Sequence, residues 1–367
     1  MRAAGRSSAT IERRAFLRMA GVAFVAALAP RPSFALSRTD AVFASGYRDR
    51  DGTFGIAVLT EDGTVIDRTP LPARSHGMAF SPATGHLVAF ARRPGTFALV
   101  IDRTGRAEPV TIAAAEDRHF FGHGCFSPDG RLLYASENDF DNRRGVIGLY
   151  DARDGYRRIG EYQTYGIGTH DLSVSDDGKL LIAANGGIET HPDFGRTKLN
   201  LDHMEPSLAL IDAASGALIE RHALPEKLRQ LSTRHIGLDD KGRIWFACQY
   251  EGPRNDLPPL VGHFGKGEDV TFLSLPAETT IGLANYVGAI AVNRSEGLVG
   301  LTSPNGGRFV VLEADSGRVI RDEAVADAAG IAAAPHGFAV SSYDGDFAGR
   351  REPVAWDQHI AKLSAIS

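Results

Sequence analysis

The sequence predicts an all-β protein, a β-propeller of seven blades, each a four-stranded antiparallel sheet, around a central channel. Three observations predict it. One hairpin pattern recurs at a spacing near 47 residues, each copy is followed by two further strand-like runs, and no helical apolar period is sustained beyond the N-terminal leader. A helical solenoid therefore fails, and a pair of sandwiches does not explain the return of one hairpin.

Taken in chain order, residues 1–35 read as an export leader. Arg13 and Arg14 precede Phe16, Leu17 and an apolar run from Met19 to Ala29, and Ser33 and Ala35, flanking Phe34, offer small residues for cleavage after Ala35. This resembles a twin-arginine signal. It predicts a periplasmic protein exported already folded, a route taken by many proteins that carry a cofactor. The apolar run is shorter than the roughly 20 residues a membrane span requires, so no stable membrane insertion is expected after cleavage.

Residues 36–367 are expected to form a single propeller domain. The strand-like runs "AVFASGY", "TFGIAVLT" and "TVIDRTPLP" come first. The repeated hairpin then begins at Ser75 ("SHGMAFSPATGHLVAFAR"), Gly122 ("GHGCFSPDGRLLYASEN"), Thr169 ("THDLSVSDDGKLLIAANGG") and Arg234 ("RHIGLDDKGRIWFACQYEG"). Weaker copies start at Tyr286 and Ala329, and "QHIAKLSA" supplies one more strand near the end. The last unit is one strand short and the first lacks its innermost strand, which leaves the closure of the ring open.

His76, His123, His170 and His235 stand just before the first strand of four successive units, at intervals of 47, 47 and 65 residues. In a propeller that strand is the innermost, so four imidazoles would face one axis. A role in blade packing alone would recur in every blade, whereas the next two units have Val287 and Gly330 instead. These four are the candidate metal ligands, and imidazole favours iron, copper or zinc over magnesium or calcium; a transition metal, iron or copper, is the expected cofactor. The distance from histidine to turn glycine varies from 7 to 9 residues, so a bulge or loop has to absorb the difference if the rings are to face one side. His119 is taken as peripheral.

The longest interval contains an insertion at 186–206, too polar to be a domain and expected to be a binding loop. It and the loops that follow the second strands of other blades ("ENDFDNRRG", "QYEGPRNDLPP", "SPNGGR") fall on the rim where the innermost strands begin. Asp171, Glu189, His191, Arg234, Glu137 and Tyr250 are the candidate ligand-binding or supporting residues at that mouth. Cys125 and Cys248 are read as unbridged strand residues in non-adjacent units.

Composition narrows the partners. A formal net charge of -5 and the lack of a long Lys/Arg run after the leader exclude nucleic acid as the main partner. G-x-S-x-G, P-loop, H-E-x-x-H and C-x-x-C-H motifs are missing from the sequence.

Together "FARRPGTFA", "GHGCFSPDGRLLYASEND", "GVIGLYDAR", "NGGIETHPD", "LRQLSTRHIGLD", "FACQYEG" and "NYVGAIAVN" resemble the bacterial family catalogued as domain of unknown function 1513, over most of the chain from about Ala41 onward. The resemblance implies a seven-bladed propeller with an exported N-terminus, often found beside imelysin-type iron-uptake proteins, and hence periplasmic iron handling.

The expected function is a metal- or metal-complex-binding propeller in iron or copper homeostasis, with periplasmic iron-uptake proteins as partners. Two alternatives stand beside it. One is a lactonase-like hydrolase using a channel metal or a histidine acid/base; its catalytic residues are not assignable. The other is a protein-interaction scaffold.

Overall fold

The computed structural model describes residues 42–363; the leader and its cleavage site lie outside them. Among the described residues there are seven four-stranded antiparallel sheets. Blade 1 takes β1 (Phe43–Asp49), β2 (Phe54–Leu59) and β3 (Val65–Leu71) from the start of the chain. Blade 2 follows with β4 (Ser75–Ser81), β5 (His86–Ala91), β6 (Phe97–Asp102) and β7 (Val110–Ala113). Blade 3 holds β8 (Arg118–Phe126), β9 (Leu132–Asp139), β10 (Arg144–Asp151) and β11 (Arg157–Gln163). Blade 4 holds β12 (Thr169–Val174), β13 (Leu180–Asn185), β14 (Ser207–Asp212) and β15 (Leu218–Ala223). Blade 5 holds β16 (Leu231–Leu238), β17 (Ile244–Tyr250), β18 (Val261–Phe264) and β19 (Thr271–Phe272). Blade 6 runs from β20 (Ala289–Asn293) through β21 (Leu298–Ser303) and β22 (Arg308–Glu313) to β23 (Val319–Ala324). Blade 7 has β24 (Ala328–Ala333), β25 (Phe338–Ser342), β26 (Asp346–Phe347) and β27 (Arg350–Arg351).

The final strand, β28 (Val354–Lys362), returns to blade 1 and pairs antiparallel with β1. It is the innermost strand that the first unit lacks in sequence order, so β28 closes the ring rather than completing blade 7. Trp356 on β28 is fully buried, donates from Nε1 to the Gly345 carbonyl of blade 7 at 3.1 Å, and packs its ring against Phe347. One strand thus holds the first and last blades together.

Local chemistry explains the repeat. In the innermost hairpin of blades 3 and 4 the serine hydroxyl caps the turn aspartate (Ser127 Oγ to Asp129 Oδ1 and Ser175 Oγ to Asp177 Oδ1, both 2.6 Å). The next residue, Gly130 or Gly178, takes a positive φ of 69° or 71°. Only a residue without Cβ enters that region freely, so the turn fixes the hairpin register. The middle strands are apolar on both faces because each is covered by a neighbouring blade: Leu208 and Leu210 of blade 4, Trp245 and Phe246 of blade 5 and Val299 and Leu301 of blade 6 share one core layer. Outer strands such as β15, "LIERHA", alternate with solvent.

Successive innermost strands β4, β8, β12, β16, β20, β24 and β28 lie side by side around the axis. No helix among the described residues is long and apolar enough to cross a membrane.

Candidate metal centre and its basic vestibule

His76, His123, His170 and His235 meet at the axis, and a fifth ring, His359 from β28, joins them. The five belong to five consecutive blades. His123 is central: its ring centroid lies 4.7 Å from His76, 4.8 Å from His170, 5.3 Å from His235 and 4.6 Å from His359.

Backbone irregularity makes the convergence possible. The histidines lie within the innermost strands rather than before them, and the ladder register shifts at each: between Ser75 and Met78, Phe120 and Gly124, Thr169 and Asp171, Thr233 and His235, and on β28 between Trp356 and Ile360. These bulges absorb the uneven spacing to the turn glycine and re-aim each side chain toward the axis. Close packing demands glycine beside them. A Cβ on Gly122, whose φ is 107°, would come 2.8 Å from His76 Cδ2, and one on Gly77 would come 2.7 Å from His123 Nδ1.

One carboxylate supports the rings. Asp171 places Oδ1 3.3 Å from His123 Nδ1 and Oδ2 4.0 Å from His235 Nδ1, and it accepts backbone N–H bonds from Leu172 and Ile236. Burial alone would raise its pKa, but the two histidines and the Ile236 amide outweigh that and hold the carboxyl below its ordinary value. A carboxylate on the far nitrogen of an imidazole is the arrangement that orients metal-ligating histidines.

The remaining nitrogens are poorly satisfied. His76 Nδ1, His123 Nε2 and His359 Nε2 are buried without a hydrogen-bond partner, and His76 Nε2 faces His170 Nε2 at 3.5 Å. Two triads, His76/His123/His170 and His123/His235/His359, bring ligand atoms within 4.8 Å of one another. Burying polar atoms unpaired is costly, and a cation held by either triad would engage two of the three residues that carry them, His123 with His76 or His123 with His359. The residues present fit a transition metal.

Burial, then the neighbouring imidazoles and guanidiniums, push the pKa of His76, His170 and His359 well below 6.5, and that of His235 down to about 3. These four rings are therefore held neutral, the form that ligates metal. The unfolded chain takes up protons near pH 6.5 and the folded one only far lower, so stability is fully present above that pH and lost as the pH falls from about 6.5 toward 3. The metal-free protein is expected to show a flat melting temperature above pH 7 and a steady fall from pH 6.5 to 4.5. A melting temperature that does not move over that range would contradict neutral, dehydrated imidazoles.

Above the rings opens a cavity of about 130 Å³, lined by His76 and His170 and by Arg92, Arg93, Arg196, Lys198 and Arg234. Arg234 is buried, lies 3.3 Å from His170 Nδ1 through Nη1, and faces Glu251 at 3.7 Å through Nη2. Arg196 and Lys198 come from the 186–206 insertion, which therefore reaches over the channel mouth.

Other candidate residues stand elsewhere. Glu137 is fully buried beneath blade 3, where its carboxylate takes the Tyr150 hydroxyl at 2.5 Å and Arg158 Nη2 at 2.8 Å, because strand alternation on β9 turns it away from the mouth. Tyr250 bonds Asp256 at 2.8 Å on the outer rim, and its chain neighbour Glu251 is the one that reaches the cavity cations Lys198 and Arg234. Glu189 is held by Arg143 at 2.7 Å. His191 caps the short helical turn Pro192–Phe194 against Phe140. Neither lines the cavity. His119 is peripheral as expected, bonded to Asn138 and stacked on Phe140. Cys125 on β8 and Cys248 on β17 are free and belong to different blades.

His359, Arg92 and Arg93 were not anticipated. The arginines had a signal, following the second strand of blade 2 as the named rim loops follow theirs, whereas His359 is placed only by the pairing of β28 with β1.

The chain belongs to the family described as "Protein of unknown function (DUF1513)", which matches residues 69–363. Comparison with curated proteins gives no match. Among solved structures, hydrazine synthase of Kuenenia stuttgartiensis superposes with a TM-score of 0.61 at 16% identity, covering 85% of this chain and 94% of that one. The Swd1 β-propeller domain of Myceliophteria thermophila gives 0.56 at 12% identity, covering 87% and 97%. A chain of a nidogen/laminin complex gives 0.53 at 11% identity, covering 88% and 98%. At these identities the likeness concerns the fold alone.

Proposed function

We propose that this protein is a periplasmic metal-binding propeller that captures iron or copper, as an ion or small complex, on the imidazoles at its channel mouth, and serves iron or copper homeostasis beside periplasmic iron-uptake proteins. The observation that carries the proposal is the meeting of five inner-strand histidines whose buried nitrogens include three without a partner. His76, His123 and His170 offer one ligand set, and His123, His235 and His359 the other. Asp171 orients His123 and His235 from behind. The twin-arginine leader supports the location.

The direct test is metal content by mass spectrometry on protein exported through its own leader and purified without chelators or a histidine tag, beside a His123→Ala/His170→Ala double variant. Near-stoichiometric metal in the natural protein, lost in the variant, is the expected result. No metal in either sample, even after exposure to iron and copper, would sink the proposal.

A finer prediction concerns Asp171→Asn. The ligand count is unchanged, but the far nitrogens lose their carboxylate, so metal affinity should fall roughly 10–100-fold in competition with a chelator. Unchanged affinity would remove Asp171 from the site.

A further inference from the structure

We propose that the basic vestibule above the imidazoles is a binding site in its own right for a small oxyanion carrying two or more negative charges, a phosphate or a compact dicarboxylate. The inference stands on the cations and holds whether or not a metal sits on the histidines.

The cavity wall gathers five cationic side chains from three directions: Arg92 and Arg93 just past β5, Arg234 on β16, and Arg196 and Lys198 from the insertion. Among the described residues no carboxylate lines it. Two lie behind the wall. Glu251 serves Lys198 and Arg234. Asp357 is engaged by Arg74 through two hydrogen bonds of 2.8 and 2.9 Å and stands 4.0 Å from Arg92 Nη1. Arg93 and Arg196 have no ion-pair or hydrogen-bond partner among the described residues.

Burial makes this imbalance informative. Arg234 is only 6% exposed. Its Nε, the Nε and Nη1 of Arg92 and the Nε of Arg93 are buried without a hydrogen-bond partner. Crowded guanidiniums with unpaired N–H groups repel one another and forfeit hydration, a cost that an oxyanion at their centre offsets. Burial and then the charges of Arg234, Arg196 and Arg92 bring even the pKa of Arg93 down to about 9. A guanidinium fork matches the oxygen pair of a carboxylate or phosphate in shape as well as charge.

The neutral part of the wall agrees. Gln358 Nε2 donates to Tyr286 Oη at 2.9 Å, so the tyrosine oxygen is the acceptor in that bond and its own O–H is left to donate to a ligand. Size sets the class: about 130 Å³ is below the roughly 300–1,000 Å³ of pockets for drug-sized ligands. A phosphate or short dicarboxylate fits where a macrocycle or a polymer does not.

The experiment is isothermal titration of the metal-free protein, at low ionic strength, with inorganic phosphate and separately with oxalate. Saturable binding of one equivalent of at least one anion is expected, weakened at least tenfold by Arg93→Gln and also by Arg196→Gln. Arg196 lies on an exposed loop, so its variant tests the site even if Arg93→Gln fails to fold. The tighter anion names the class. Metal content in both variants should equal that of the natural protein, which separates this site from the imidazole centre. No binding of either anion, or binding that neither substitution weakens, overturns the proposal. So does binding seen only in metal-loaded protein and indifferent to both arginines, because the anion would then be held by the metal alone.

Discussion

His123→Ala is expected to abolish metal retention more completely than any other single histidine substitution. His123 is the one ring shared by both candidate triads, and it touches all four of the others. Removing His76 or His170 leaves His123, His235 and His359 intact as a set, and removing His359 leaves the opposite set. Loss of a merely supporting group weakens a metal site roughly 10–100-fold, so loss of the shared ligand should weaken it by at least about 100-fold. Folding should survive, because Asp171 keeps its bonds from Leu172 and Ile236 and its approach to His235. The measurement is chelator competition on each single alanine variant, with circular dichroism as the control for structure. If His123→Ala holds metal as tightly as His76→Ala, the shared-ligand geometry is wrong.

Ending the chain after Pro353 is the second large effect. The truncated protein loses β28 and with it the antiparallel ladder to β1 from Phe43↔Lys362 to Asp49↔Val354. It also loses buried Trp356, whose replacement by alanine alone should cost about 3–5 kcal/mol, against the 5–15 kcal/mol by which folded domains are typically stable. Asp357 leaves Arg74 unpaired, and His359 disappears from the metal centre. The expected outcome is a chain without a cooperative unfolding transition, rescued in part by a peptide covering residues 354–367. A truncated chain with the natural denaturant midpoint would mean that the ring does not depend on this closure.

The strands were legible in the sequence because their causes are local. Turn chemistry such as Ser127, Asp129 and Gly130 repeats wherever the inner hairpin repeats, and apolar runs such as "LLIAAN" mark strands covered on both faces. Four of the five channel histidines were legible for the same reason, being tied to those hairpins. His359 was not, since nothing near residue 359 says that the last strand pairs with the first. Within the insertion it is Arg196 and Lys198 that reach the cavity, while Glu189 and His191 do not.

Glu137 and Tyr250 show the limit most plainly. Tyr250 ends the second strand of its blade and Glu137 stands two residues before the end of its own, where the rim is near, and a residue there faces the mouth or the blade interior according to a register set by bulges and neighbouring strands. Glu137 turned inward to Tyr150 and Arg158, and Tyr250 turned outward while Glu251 took the place beside Arg234. The sequence by itself determined the repeat, the blades and the axis toward which the histidines point, because periodicity and turn residues act over a few residues. Ring closure, the fifth histidine and the choice of arginines over carboxylates at the mouth were decided only by the tertiary structure, because each depends on a pairing between distant strands that no local pattern encodes.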